Sequence, residues 1–230
     1  LTAFDNITDL AATGAGNTLT GADVDSVWSI DGATGSVLVA GQTLNFSGFT
    51  SLAGGIANDS FTVTDDSAVD ITTDTAIGGT GVDSVTINAG QTLTVTTDLV
   101  FGEGVDTLTL ANDAVLTGGN ANLGAGADQV TLGTGAMIAG NVVGSTGSDN
   151  LSLGQFSSVT GTFDGGADVD TVDYSATSIN LTVTLTGISG TPTDGFTGTD
   201  GGVTGGFLGI DLLVGGAATT DTLIGQDASN

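Results

Sequence analysis

Apolar residues alternate with small polar residues in short stretches along most of the chain, and these stretches return at a regular distance. In each stretch two apolar residues stand two positions apart, which is the period of a strand with one buried face. The pairs are Phe61/Val63, Val85/Ile87, Leu108/Leu110, Val130/Leu132, Leu151/Leu153 and Val172/Tyr174. Further apolar positions follow and precede the pairs, so each repeat predicts three short strands. The following positions are Val69, Leu93, Leu116, Ile138 and Val159, and the preceding ones are Ile77, Val100, Leu123, Val143 and Phe163.

A nine-residue motif with aspartate at its sixth position overlaps each pair. Its most complete copy is GGTGVDSVT, at Gly78–Thr86. The other copies begin at Gly54, Phe101, Leu123, Gly144 and Gly165. The aligned aspartates are Asp59, Asp83, Asp106, Asp128, Asp149 and Asp170, separated by 24, 23, 22, 21 and 21 residues. Repetition at a nearly constant period of this length is typical of solenoid proteins.

Three short strands and three turns within about 22 residues predict one coil of a β-helix. We therefore expect an all-β fold, a right-handed parallel β-helix with about 22 residues and three short strands per coil, stacked about 4.8 Å apart. One continuous β-helix is expected over residues 1–230, with aliphatic rows inside and glycine at turns that need positive φ. DGATGSVLV, at Asp31–Val39, is interpreted as a degenerate repeat, with Trp28 and Ile30 packed inside.

Two segments depart from the period. Ile188–Gly206 contains the only proline of the chain and is predicted to protrude as a loop. Residues 207–230 resemble the start of the chain, because DTLIGQDASN (Asp221–Asn230) aligns with NTLTGADVDS (Asn17–Ser26) at an offset of 204. This similarity predicts either the start of a second copy of a unit of about 204 residues or subunits that stack end to end. The chain begins in mid-pattern, so we expect it to be a piece of something longer.

Charge excludes several functions. The 230 residues include 26 acidic side chains and no Lys, Arg or His, giving a formal net charge of −26. Without cations the chain has no electrostatic basis for binding nucleic-acid phosphates, and anionic membranes would repel it. No apolar run approaches the roughly 20 residues of a membrane-spanning helix. Apolar content of 39% argues against a disordered acidic tail.

The stacked aspartates raise the question of what neutralises them. Carboxylates about 4.8 Å apart repel by about 1 kcal/mol per neighbouring pair even in bulk water, and the chain supplies no cation. Ca²⁺ binds carboxylate and backbone carbonyl oxygens, which a glycine-rich turn exposes. The alternative is that these aspartates accept backbone hydrogen bonds in tight turns without a metal. Both interpretations stay open at the level of the sequence.

The motif also resembles a known family. GGTGVDSVT matches the calcium-binding nonapeptide of repeats-in-toxin (RTX) proteins at every fixed position, and Phe163–Gly187 is similar to segments that link such repeats in very large bacterial adhesins. The resemblance implies a protein secreted by a Gram-negative bacterium to its surface or surroundings. It also implies a set of ion-binding residues. The implied Ca²⁺ ligands are Asp59, Asp83, Asp106, Asp128, Asp149 and Asp170, with Gly79 and Gly81 in the turn around the ion.

This sequence departs from the family pattern in ways that predict fewer or weaker ions. The family has paired nonapeptides with two ion rows, whereas here one copy falls about every 22 residues. The first glycine is replaced in the copies at Phe101 and Leu123, and Ala57 and Asp168 replace the fourth-position glycine in two others.

The expected function is structural: a rigid acidic module of a bacterial adhesin, surface layer or filament, stacked end to end and stabilised by Ca²⁺. One alternative is ice or surface binding through outward Ser/Thr rows such as Thr62, Thr86 and Thr109. A polysaccharide-acting enzyme using the carboxylates of Asp168 and Asp170 is a weaker alternative, because β-helix enzymes of this kind typically use a basic residue that is absent here. We therefore expect no enzyme activity, while any carbohydrate or surface ligand stays unidentified.

Overall fold

The computed structural model describes residues 7–74, 81–190 and 194–225, which are all-β and contain no helix. No helix that could cross a membrane occurs among these residues. The strands are β1 (Asp9–Ala11), β2 (Thr18–Thr20), β3 (Ser26–Asp31), β4 (Thr34–Val39), β5 (Gln42–Ser47), β6 (Ser51–Gly55), β7 (Asp59–Asp65), β8 (Ser67–Ala68), β9 (Asp70–Asp74), β10 (Ser84–Ile87), β11 (Thr92–Thr94), β12 (Leu99–Val100), β13 (Thr107–Leu110), β14 (Val115–Thr117), β15 (Ala121–Asn122), β16 (Gln129–Leu132), β17 (Met137–Ile138), β18 (Val142–Val143), β19 (Asn150–Leu153), β20 (Ser158–Val159), β21 (Phe163–Asp164), β22 (Thr171–Asp173), β23 (Thr182–Ile188), β24 (Phe196–Thr199), β25 (Phe207–Ile210), β26 (Leu212–Val214) and β27 (Thr222–Ile224).

The strands form three sheets, called A, B and C below. Sheet A has the order β1-β5-β4-β3-β7-β10-β13-β16-β19-β22-β26, and sheet B the order β2-β6-β9-β12-β15-β18-β21-β25-β24-β23-β27. Sheet C is smaller, with the order β20-β17-β14-β11-β8. From β7 to β21 the chain passes from sheet A to sheet C to sheet B and then returns to sheet A. Each return adds one parallel strand to every sheet, as expected of a β-solenoid.

The parallel register confirms the predicted stacking of the repeats. Val85 pairs with Phe61 on one side and with Leu108 on the other, and the row continues through Val130 and Leu151. These side chains are fully buried. β-Branched and aliphatic residues suit such a row because each side chain packs on an equivalent one in the neighbouring strand. The core is therefore built mainly of stacked rows of like residues.

Two predicted rows differ in detail. In sheet B the buried row is Leu99, Ala121, Val142 and Phe163, whereas Val100 and Val143 are only half-buried. The predicted Phe163 belongs to this row and the predicted Leu123 is buried, whereas Val100 and Val143 each stand one residue beyond the buried position, because two-residue strands have no alternation that fixes their face. In sheet C, Ser67 rather than Val69 pairs with Leu93, although Val69 is also buried. Ile77 lies outside the described residues.

Sheet A contains an antiparallel excursion near its N-terminal end. β3, β4 and β5 form a meander in which Trp28 pairs with Val37, so Asp31–Val39 is not a repeat of the parallel stack. Trp28 is buried as predicted, and its ring stacks on Phe61 with centroids 5.1 Å apart. The tight turn at Gly32, which has a φ of 62°, reverses the chain where a parallel coil would have continued.

A second excursion lies in sheet B, within the segment predicted to protrude as a loop. Residues 196–199 form β24, which pairs antiparallel with both β23 and β25. Val203 is fully buried and bridges to Val159, so it continues the row of sheet C. Most of the described part of Ile188–Gly206 is thus integrated into the stack, and residues 191–193, with the proline, lie outside the described residues.

Candidate functional site: the aspartate ladder

The six aspartates come together as one row along the edge where the turns from sheet B enter sheet A. Asp59 begins β7, and each of the others stands immediately before its strand of sheet A. Each aspartate precedes a core residue of its strand by two positions, so period-2 geometry turns its carboxyl group inward. The six side chains are 0–1% exposed. The sequence prediction that these residues form a ladder is therefore confirmed in geometry.

A chain of side-chain to backbone hydrogen bonds joins the row. The N–H of each aspartate donates to Oδ1 of the aspartate in the following repeat, and the five distances lie between 2.7 and 2.8 Å. The donors are Asp59, Asp83, Asp106, Asp128 and Asp149, and the corresponding acceptors are Asp83, Asp106, Asp128, Asp149 and Asp170. Each carboxylate thereby satisfies a buried backbone donor of the neighbouring coil.

Two further residues complete the ladder and were missed from the sequence. At its N-terminal end Ser26 pairs with Asp59 in parallel register, and its hydroxyl donates to Oδ1 of Asp59. At the other end the N–H of Asp170 donates to Oδ2 of Asp211 at 3.1 Å. The two antiparallel excursions lengthen these steps to 33 and 41 residues, which hides both positions from a search at a constant period.

Glycines shape the turn before each aspartate. Gly124 and Gly126, the second and fourth residues of their copy, have φ values of 101° and 151°. A Cβ on Gly126 would overlap the carbonyl oxygen of Gly104 in the preceding coil. Gly81 is also tightly packed, because a Cβ there would overlap the carbonyl oxygen of Ala57. Gly79 lies outside the described residues, so its predicted place in the turn stays a prediction.

The second carboxylate oxygens define the electrostatics of the row. Oδ2 of Asp59, Asp106, Asp128, Asp149 and Asp170 is buried and has no hydrogen-bond donor. Burial raises the pKa of Asp149 to about 7 and that of the other four to about 6. Loss of solvent disfavours the charged form, and neighbouring carboxylates raise the pKa of Asp106 and Asp149 further. The ladder can thus hold protons or a cation more readily than exposed aspartates can.

A second ladder, also missed from the sequence, runs along the entry to sheet B. Oδ1 of Asp98 accepts the N–H of Asn120, Oδ1 of Asn120 accepts the N–H of Asn141, and Oδ1 of Asn141 accepts the N–H of Thr162, at 2.9–3.0 Å. Here the side chain belongs to the earlier coil, the reverse of the aspartate ladder. The spacings of 22, 21 and 21 residues were the available signal. Because Asn replaces Asp at two of these positions, this row needs an acceptor oxygen but no charge.

The aspartate ladder fits a cation in part. The buried Oδ2 atoms of Asp59, Asp106, Asp128, Asp149 and Asp170 are hard oxygen ligands without a donor, which is the chemistry that Ca²⁺ selects. Oδ1 of each carboxyl group already accepts a hydrogen bond, from the Ser26 hydroxyl at Asp59 and from a backbone N–H at the other five. Among residues 7–74, 81–190 and 194–225, no group of three or more acidic side chains is arranged to hold a metal ion. Most ligands of any ion would therefore have to be backbone carbonyls or water.

The surfaces considered for other functions are also defined. Thr62, Thr86, Thr109 and Thr131 lie in register across four strands of sheet A, and Ser152 and Asp173 continue the row. The carboxylate pair considered for an enzyme does not share a face, because Asp168 is exposed in a turn with a φ of 82° and Asp170 is buried. This arrangement offers no pair of accessible carboxylates across a substrate bond.

Comparisons with known proteins found no matching family model, no similar curated protein and no similar solved structure.

Proposed function

We propose that the chain is a non-catalytic structural module, a right-handed parallel β-helix with about 22 residues and three strands per coil. It would serve as a rigid acidic rod in an extracellular or cell-surface protein of a Gram-negative bacterium, such as an adhesin or filament. The RTX-like motif supports this setting. The parallel stacking of repeats in three sheets supports the architecture.

One observation supports the structural role most directly: among the described strands, each terminal strand of sheets A and B has one edge without a partner strand. In the described part of the chain β1, β2, β26 and β27 each pair with one strand only. Such edges present backbone N–H and C=O groups ready to pair with another chain. End-to-end assembly through these edges would extend the rod without any change in the fold.

Calcium is the cofactor that we propose for the aspartate ladder. Ca²⁺ near the Oδ2 atoms of Asp106, Asp128 and Asp149 would offset their mutual repulsion and desolvation. Asp59, Asp83 and Asp170 would belong to the same row, with Gly79 and Gly81 in the turn of one copy. The ion's role would be to stabilise the coil rather than to carry a reaction.

Calorimetric titration of chelator-treated protein with Ca²⁺ tests the cofactor, and light scattering across a concentration series tests assembly. We expect binding heat and a higher melting temperature for the wild type, and loss of both in an Asp128→Asn/Asp149→Asn variant. Asp98→Asn, in the second ladder, is the matched control and should keep both responses. No heat and no melting shift at millimolar Ca²⁺ would contradict the ion, and monodisperse monomers would contradict assembly.

The in-register threonines support a second candidate, binding of ice or another ordered surface through sheet A. The row formed by Thr62, Thr86, Thr109 and Thr131 is regular over four coils. Measurement of thermal hysteresis decides between the two functions. Absence of hysteresis would exclude ice binding and leave the structural role unaffected.

A further inference from the structure

Sheets A and B do not end at the same level of the stack. At each end one sheet extends two strands beyond the other, and the longer sheet is a different one at the two ends. The coil formed by β7, β8 and β9 has four further strands beyond it in sheet A but two in sheet B, toward the N-terminal end. The coil formed by β19, β20 and β21 has two further strands in sheet A and four in sheet B, toward the other end. Sheet A therefore extends two strands further at one end, and sheet B two strands further at the other.

The two steps are complementary in shape. If a second molecule follows the first along the same axis, its longer sheet A meets the shorter sheet A of the first molecule. Its shorter sheet B then meets the longer sheet B. β1 of one copy comes beside β26 of the other, and β2 comes beside β27, with neither a gap nor an overlap in either sheet. A single displacement along the axis thus joins both sheets.

The strands that would meet carry the same inward residue. β1 and β26 are the terminal strands of sheet A, and their inward residues are Leu10 and Leu213, at an offset of 203. β2 and β27 are the terminal strands of sheet B, and their inward residues are Leu19 and Leu223, at an offset of 204. From β1 to β2, and again from β26 to β27, the chain passes from sheet A to sheet B. In each case it enters sheet B two strands further along the stack than it would within one coil. The first and last strand pairs thus have equivalent places in the two sheets, ten strands apart.

Among the residues that the structure describes, no coil covers the inward leucines at the two ends. Leu10 is 38% exposed and Leu223 is 63% exposed, although their strand partners Phe46 and Val183 are buried. In the rest of the core each aliphatic side chain packs on an equivalent residue of the neighbouring strand. Each of these leucines would therefore be buried by another aliphatic residue of the same row. Burial of such side chains provides about 25 cal/mol for each Å² removed from water.

We propose that the partner of each end is the opposite end of a second copy of this chain. β26 pairs in parallel with β1, and β27 with β2, in the register that places Leu213 beside Leu10 and Leu223 beside Leu19. This inference rests on the proposed end-to-end assembly and specifies its interface. The contact is head to tail, so it leaves a free end on every complex and generates an open filament.

The same register avoids like charges, which matters in a chain without cations. It places the outward residues Asp9 and Ala11 beside Leu212 and Val214. In sheet B it places Thr18 and Thr20 beside Thr222 and Ile224. No acidic residue of these four strands faces another across the junction.

Disulfide trapping tests the register, because the chain has no cysteine of its own. Directly paired residues of neighbouring strands lie within the Cα separation that a disulfide spans. In an Asp9→Cys/Leu212→Cys variant, mild oxidation should give a ladder of covalent oligomers. A Leu38→Cys/Leu212→Cys variant is the matched control, since Leu38 is an exposed residue of β4 away from the end, and it should stay monomeric on a non-reducing gel.

A third variant, Asn45→Cys/Leu212→Cys, detects a different mode. Asn45 is the partner of Asp9 within one chain, so this pair cross-links only if the C-terminal strands of one copy displace β1 and β2 of the next. Cross-linking of Asn45→Cys/Leu212→Cys but not of Asp9→Cys/Leu212→Cys would overturn the proposed register. A Leu223→Asp variant should lose the oligomers while keeping the circular dichroism spectrum of the wild type.

Failure of this inference is distinguishable from failure of the proposed function. If light scattering shows oligomers but Asp9→Cys/Leu212→Cys gives no cross-link, end-to-end assembly stands and the stated register is wrong. If the wild-type chain is monomeric at every concentration, with and without Ca²⁺, both are overturned.

Discussion

The N–H of Asp106 donates a 2.7 Å hydrogen bond to Oδ1 of Asp128, which stands one coil further along the chain. The bond is repeated at every rung from Asp59 to Asp170, and it uses only one oxygen of each carboxyl group. The hydrogen bond needs an acceptor, which an amide oxygen could equally supply. The negative charge is therefore a separate property of the ladder. Its cost in folding free energy can be measured by mutating an aspartate or by changing the pH.

Replacing Asp128 by Asn separates the two properties. The amide oxygen keeps the bond from Asp106, and the amide N–H groups can donate to neighbouring carboxylates. Without a divalent cation at pH about 8, Asp128→Asn should be more stable than the wild type by about 1 kcal/mol, because one desolvated charge is removed. Urea unfolding with chelator present measures this difference.

Asp98→Asn is the control for that experiment, because Asp98 holds the same kind of bond in the second ladder and is partly exposed. Its stability should change little. If Asp128→Asn instead unfolds the chelated protein, the charge itself is required, and the account of the ladder as an acceptor row is wrong.

The raised pKa values predict that the protein loses stability as pH increases. The folded state holds protons on the ladder at a pH where the unfolded chain, with an ordinary aspartate pKa of 3.8, has released them. The free energy of unfolding should therefore be highest near pH about 4 and decrease as pH rises through the folded pKa values of about 6 and about 7.

Urea unfolding at several pH values from about 4 to about 8, in the presence of chelator, checks the direction. Hydrogen bonds from Thr96 and Thr97 outweigh desolvation and lower the pKa of Asp70. Ionised Asp70 therefore stabilises the folded state, and this contribution is lost as the pH falls below 3.8. Stability that increases between pH about 5 and about 8 would contradict the buried, desolvated state of the ladder.

The inward pairs and the aspartate row could be predicted from the sequence because both repeat in adjacent coils with the same spacing. Val85 and Leu108 belong to equal local patterns, and equal patterns stack. The meander of β3, β4 and β5 could not be predicted in the same way. Its strands alternate like any others, and whether Trp28 pairs with a parallel or an antiparallel neighbour depends on contacts made after the chain has turned back.

The limits of sequence reasoning at the site have a similar origin. Asp211 has the same role as the other rungs, but an inserted excursion separates it from Asp170 by 41 residues. The ladder of Asp98, Asn120 and Asn141 is not visible as a repeat of one residue type, because these positions require only a side-chain oxygen. A residue belongs to one of these rows because of its position beside the next coil in the structure, not because of its type or its spacing along the sequence.

Two glycines distinguish backbone conformation from close packing. Gly126 and Gly90 both have positive φ, but only at Gly126 would a Cβ overlap a neighbouring backbone oxygen. Gly126→Ala should reduce the free energy of unfolding by about 3 kcal/mol or more, since the coils would have to separate. Gly90→Ala should cost about 1–2 kcal/mol, for the conformation alone. Equal effects in thermal unfolding would show that the coils are not stacked this tightly.

Phe156 occupies a strained position that glycine would suit better. Its φ is 62°, and the equivalent residues of earlier coils include Gly90 and Gly135, with φ values of 72° and 71°. The side chain is 68% exposed, so truncation removes little packing. Phe156→Gly should therefore increase the free energy of unfolding by about 1 kcal/mol through relief of the left-handed backbone.

The matched control for Phe156→Gly is the neighbouring Gln155→Gly, whose φ is not positive. There glycine adds freedom to the unfolded chain and removes the 3.4 Å hydrogen bond from the Ser178 hydroxyl to Oε1 of Gln155, so stability should fall by about 0.5–1 kcal/mol. Urea midpoints of the two variants, measured beside the wild type, should thus move in opposite directions. If Phe156→Gly destabilises the protein as much as Gln155→Gly does, the phenyl ring makes a stabilising contact that outweighs the strain of its backbone.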